Sequence, residues 1–147
     1  MKISIPDRPT QVDSPTGPVF VRPYQVVVQV RLIVRGGPTP RFPAVLDTGH
    51  SHNFSITERQ LRDWGQTSLP TVRVIRVNGR PVPVANADLE IDGILLTLPE
   101  GIAVFPEGHP AATRLPLLGL RALVRNRLKT VIDGKNMQVS ISRRFWR

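Results

Sequence analysis

The tripeptide Asp47-Thr48-Gly49 is the strongest chemical signal in this chain. An apolar pair, Val45-Leu46, runs into it, and a second apolar stretch, Phe54-Ser55-Ile56, follows it. Flanks of this kind bury the base of a loop on both sides. A carboxylate fixed between buried strands is costly unless something pairs with it or uses it. The uses open to it are proton transfer and cation ligation. Thr48 brings a hydroxyl that can stiffen the loop, and Gly49 lets another backbone approach closely. The competing reading is a plain surface turn, since Asp and Gly are favoured in turns. His50 and His52 stand just behind the tripeptide. The simplest reading of His50 is an outward-facing loop histidine. The alternatives are a neutral ring that hydrogen-bonds substrate, or an imidazolium that favours ionised carboxylates nearby. His-Ser-His lacks strong ligands beyond Asp47, so neither a metal nor a cofactor is expected. His109, in a Pro/Gly loop, carries no signal of its own.

The segments around the tripeptide read as short strands. Val26–Val34 is a nearly continuous β-branched run, ended by Gly36-Gly37-Pro38, and Phe42–Leu46 is a second apolar strand that stops at Asp47. A compact helix signal follows: Thr57 as cap, Gln60 three residues on as in a capping box, Leu61 and Trp64 facing inward, Gly65 as the stop. Residues 71–84 alternate apolar and polar across Asn78-Gly79, the strongest short-range hairpin signal. Leu89–Leu98 reads as another hairpin turning at Asp92-Gly93. Arg121–Leu128 reads as a short amphipathic helix, and Thr130–Ile132 with Met137–Ile141 as a last hairpin. Residues 1–23, with five prolines, read as an extended N-terminal arm that begins with a short edge strand at Ile3–Ile5; residues 24–147 form the domain. The sum is about nine short strands and two short helices, an all-β class.

Bulk properties agree with one domain. The chain has 147 residues, is 40% apolar and only 5% aromatic, so its core must be built from Val, Leu and Ile. With no cysteine, a disulfide framework and a thiolate metal site are both excluded. No secretory signal and no membrane-length apolar segment is visible, which makes a soluble cytoplasmic protein the default expectation and membrane binding unexpected. The net charge of +9 permits anionic partners. The arginines are scattered, however, densest at Arg121–Lys129 and Arg143–Arg147. Few aromatics are free to stack bases, so a nucleic-acid partner is not expected.

FPAVLDTGHSHNFSI resembles the catalytic segment of the retropepsins, the retroviral aspartic proteases and their stand-alone cellular relatives. LPLLGLRALVRNRLKTVIDGKNMQVSI is similar to that family's C-terminal signature: two hydrophobic residues and a glycine, a short helix, a terminal hairpin. TVRVIRVNGRPVPV occupies the place of the family's flap. The resemblance spans about residues 24–141 in the family's order. It implies a retropepsin-like closed β-barrel lobe, with Leu117-Leu118-Gly119 threaded beneath the aspartate loop. It also implies that Asp47, Thr48 and Gly49 are the catalytic residues, and that a peptide or protein substrate meets the flap at Val77, Asn78, Gly79, Arg80 and Val82, and Leu117 below.

Aspartic proteolysis uses two carboxylates, and this chain has one D-T-G and no room for a second lobe. The resemblance therefore implies a homodimer that shares one site around two copies of Asp47. The N-terminal arm and Gln138–Trp146 are the expected intersubunit sheet. His50 stands where the family usually has Ala or Ser. That departure keeps open an alternative, a catalytically inactive dimeric peptide-binding module, and a basic nucleic-acid-binding barrel stands behind it.

Overall fold

The computed structural model describes residues 1–143; the expected roles of Phe145 and Trp146, and of the basic tail beyond Arg143, lie outside the described residues. The chain is all-β, and its described residues form fifteen short strands and two one-and-a-half-turn helices. In order these are β1 (Lys2–Ser4), β2 (Thr10–Val12), β3 (Val19–Val21), β4 (Val27–Val34), β5 (Gly37–Pro38), β6 (Phe42–Asp47), β7 (Phe54–Thr57), α1 (Glu58–Asp63), β8 (Thr71–Val77), β9 (Arg80–Ala85), β10 (Asp88–Ile91), β11 (Ile94–Leu96), β12 (Ile102–Phe105), β13 (Leu117–Gly119), α2 (Leu120–Arg125), β14 (Leu128–Asp133) and β15 (Gln138–Arg143).

The central sheet runs β11-β10-β4-β6-β13-β7-β12-β9-β8, with β5 attached to β4. Its middle strands are apolar on both faces. In β6 the first four residues are buried, and in β12 all four are. Such strands belong in the interior of a sheet covered on both sides. Phe42 and Phe54, both fully buried, meet at 6.4 Å, and Trp64 of the α1 cap closes on Phe42 at the same distance. Leu, Ile and Val fill the remainder of the core. The expected closed barrel is not formed: the backbone pairing is an open path whose ends, β11 and β8, do not pair with each other among the described residues.

Local signals read from the sequence correspond to formed structure. Thr57 caps α1, its hydroxyl accepting from the Gln60 amide at 3.1 Å while the Gln60 side chain accepts from the Thr57 amide at 2.9 Å. Asn78 and Gly79 both have positive φ, as do Asp92 and Gly93. Two such residues in a row make the type I′ turn whose twist matches that of paired strands. The second helix starts one residue before the expected span and ends at Arg125, three residues short of it, because Leu128 already pairs with Arg143 as the start of β14.

The N-terminal segment departs from an extended arm. β2 and β3 pair as a hairpin, with Ser14 and Gly17 hydrogen-bonded across its turn. The prolines allow this because they fall outside the strands: Pro9 before β2, Pro15 and Pro18 in the turn, Pro23 after β3. β1 pairs with β15 of the same chain, and β15 also pairs with β14. Among the described residues both edges of β15 are thus occupied within one chain, and the open edges of this three-stranded sheet are the outer ones of β1 and β14. No helix among the described residues is long and apolar enough to cross a membrane.

Candidate active site

Three strands position Asp47. It is the last residue of β6, and β7 begins a few residues after it. Between them lies β13, parallel to β6 and antiparallel to β7, so the two strands flanking the loop are bridged by a segment seventy residues distant. Leu117 faces Val45, Leu118 faces Leu46 and Gly119 faces Asp47. The Gly119 amide donates to the Asn53 carbonyl at 3.0 Å, and the Val45 amide to the Pro116 carbonyl at 2.8 Å. A Cβ on Gly119 would stand 1.9 Å from the His52 carbonyl oxygen and 3.0 Å from that of His50. The loop therefore folds down directly onto Gly119, and only glycine leaves room for it.

Within the loop, the Gly49 amide donates to Asp47 Oδ1 at 3.0 Å, and the His50 amide to the Asp47 carbonyl at 3.2 Å. These bonds fix one carboxylate oxygen and leave the other without a protein partner among the described residues. Asp47 is half-buried, while Thr48 and Gly49 are exposed. The exposed Thr48 hydroxyl has no hydrogen-bond partner among the described residues.

His50 is not the outward-facing residue expected. Its ring is half-buried, with Nε2 and the buried Ser55 Oγ 2.5 Å apart, and it meets His52 edge-on at 5.2 Å. The cause is the short return from Asp47 to β7, which leaves His50 beside Ser55 on the strand the loop is joining. Burial, and then the neighbouring His52, hold the His50 pKa below the usual histidine value, and the Asp47 charge opposes them. Burial, and then the Arg121 guanidinium, lower that of His52. Both rings therefore favour the neutral form. Among the described residues, no three His, Asp or Glu side chains converge as metal ligands would.

The hairpin β8–β9 is joined to the loop through the sheet. β9 pairs with β12, and β12 runs parallel to β7. Asn78, Gly79 and Arg80 form its exposed tip. Val77 is half-buried and Val82 fully buried, packed with Ile75 on Ala103 and Phe105 in a small core of their own. Val82 thus has no free surface in a single chain. Leu117 is half-buried, and it shares with His50, Ser55 and Phe105 the wall of a small void of about 10 Å³ under the loop.

Two residues that sequence reasoning passed over contribute here. His109 is 6% exposed; its Nδ1 accepts from the Ala111 amide at 3.0 Å, so the hydrogen lies on Nε2, which donates to the Val77 carbonyl at 3.1 Å. Its ring packs against Phe105 at 5.0 Å. It therefore ties the 106–112 loop to the last residue of β8, next to the tip. Asn53 is buried, and its Oδ1 has no partner among the described residues. No periodicity or spacing marks either residue. A cleft of about 610 Å³ between α1, the 66–69 loop and the base of β8–β9 contains none of the Asp47 loop. The sequence matches no protein-family model, and no curated protein matches it.

Proposed function

We propose that this chain is one subunit of a homodimeric, retropepsin-like aspartic endopeptidase. The observation that carries the reading is the insertion of β13 between β6 and β7, with Gly119 opposite Asp47. This arrangement spends two strands and a glycine on holding one exposed turn, and that turn carries a carboxylate with one free oxygen. A surface turn needs none of that support.

In the proposed dimer, a two-fold axis passes beside Asp47, and the two carboxylates share one proton because like charges that close cannot both ionise. The ionised one takes a proton from a water lying between them as its oxygen attacks the peptide carbonyl carbon. The protonated one gives its proton to the carbonyl oxygen. As the tetrahedral diol collapses, one of its hydroxyls returns its proton to the ionised carboxylate, the C–N bond breaks, and the amine leaves with the proton of the other. In that dimer the Thr48 hydroxyl, exposed in the single chain, bonds the partner's loop. The β8–β9 hairpin is the flap, its tip bonding an extended substrate as an added strand.

The test is inhibition. A peptide mimic with a statine-type hydroxyl puts that group where the water sits and should bind at least ~10²-fold more tightly than the matching substrate. Cleavage indifferent to such a mimic and abolished by a chelator would overturn the reading. So would a protein that stays monomeric in sedimentation while remaining active.

A further inference from the structure

Cross-strand partners in an antiparallel pair point to the same face. In β8–β9 the pairs Val77–Arg80, Ile75–Val82 and Arg73–Val84 therefore share one face, and Ile75, Val77 and Val82 fix it as the face turned toward the body of the protein. An arginine stands at each end of that face: Arg80 at the exposed tip, Arg73 at the base. The hairpin from Thr71 to Ala85 contains no acidic residue. Among the described residues neither arginine forms a salt bridge. Arg73 Nη2 donates to the Glu100 backbone carbonyl at 2.7 Å, while the Arg80 side chain makes no hydrogen bond among the described residues.

The same charge sign continues toward Asp47. His52, Asn53, Arg73, Glu100 and Arg121 surround one small hollow of about 30 Å³. Glu100 is the only carboxylate there, and it is bound on both oxygens, by Arg121 at 2.6 Å and Arg125 at 2.8 Å. Two guanidinium groups thus hold this carboxylate, and a third, that of Arg73, reaches the backbone carbonyl of the same residue. The positive field reaches the loop itself, since Arg121 is one cause of the depressed His52 pKa, after burial.

On this geometry we propose that the site selects peptides carrying carboxylate side chains on either side of the bond to be cut, received by Arg80 at the flap tip and by Arg73 at the flap base, along the flank of the Asp47 loop. The proposal rests on the peptidase reading above for what happens to the peptide, not for its binding. An extended peptide lying between the tip and the loop passes both basic groups. Its central apolar side chains would meet Leu117. Carboxylates at its ends replace water around guanidinium groups that have no acidic partner of their own in the hairpin, which favours acidic sequences over neutral ones and screens away in salt.

The experiment is fluorescence anisotropy with the full-length Asp47→Asn protein, which can bind but not cut. The probes are labelled peptides of one apolar centre, Leu-Leu, flanked by Glu in one and by Gln in the other. Expected is about tenfold tighter binding of the Glu peptide at low salt, a preference that shrinks at high salt and with Arg73→Gln, and reverses toward a Lys-flanked peptide in Arg80→Glu. Circular dichroism checks that each variant is folded; Arg80 is exposed at the start of β9, so its replacement should leave the fold intact. Equal affinity for the Glu and Gln peptides would overturn the proposal. So would tighter binding of a single-stranded oligonucleotide than of the Glu peptide. Acidic preference in binding, with no cleavage by the wild-type protein, would sustain this inference while sinking the peptidase reading. Cleavage with no acidic preference would do the opposite.

Discussion

Gly119 lies opposite Asp47 across the parallel pairing of β13 and β6, with the His52 carbonyl resting where its Cβ would be. The contact makes a seventy-residue separation in sequence a direct support of the loop. Gly119→Ala has to push the His50–His52 backbone outward, since a 1.9 Å approach to a carbonyl oxygen cannot be absorbed by a flexible side chain. Overpacking of this kind costs about 1–3 kcal/mol. The expected result is a lower melting temperature and lost peptide cleavage together. An Ala variant as stable and active as wild type would mean that the loop does not rest on β13.

His50 and His52 give the protein a pH dependence of definite sign. Both have folded-state pKa values below the ordinary histidine value, so the unfolded chain binds more protons than the folded one in that range. Stability then rises with pH. It is fully present above the unfolded value and is lost progressively as pH falls from there through the depressed folded values. Chemical denaturation at a series of pH values should show this loss, and His50→Ala should flatten it. Unchanged steepness in His50→Ala, or an NMR titration giving His50 an ordinary or raised pKa, would contradict the assignment.

His109 links the 106–112 loop to the β8–β9 hairpin through the Val77 carbonyl. His109→Ala leaves that carbonyl and the Ala111 amide without their partner and removes packing from Phe105. Leaving such groups unsatisfied costs about 1–3 kcal/mol. Faster hydrogen exchange confined to residues 77–80 and 106–112 is the expected signature. Exchange that rises evenly over the whole chain would indicate lost general stability instead of a released β8–β9 hairpin.

Much of this was legible because it is local. The α1 capping box, the Asn78-Gly79 and Asp92-Gly93 turns and the apolar runs of β4 and β6 are each specified within a few residues. Leu117-Leu118-Gly119 stood out only through resemblance, since nothing in its spacing says that it slips between β6 and β7. The direction of His50 was misread because burial of a loop side chain depends on how short the return to β7 is. The β2–β3 hairpin hid behind prolines that lie at its turn and ends. His109 was invisible because its partners, Val77 and Ala111, are backbone groups, and backbone groups leave no trace in a sequence. The open sheet in place of a closed barrel reflects long-range pairing, which strand patterns alone do not fix.

The central claim is that two copies of Asp47 make one site. Asp47→Asn keeps the size of the side chain, and the Gly49 amide still has an oxygen to bond, so fold and dimer should persist while cleavage falls by orders of magnitude. The direct measurement is peptide cleavage by wild-type protein mixed and refolded with increasing shares of Asp47→Asn. If each site needs an aspartate from both chains, activity should fall with the square of the wild-type fraction. Activity that falls only in linear proportion, or Asp47→Asn protein that cleaves as fast as wild type, would contradict the account.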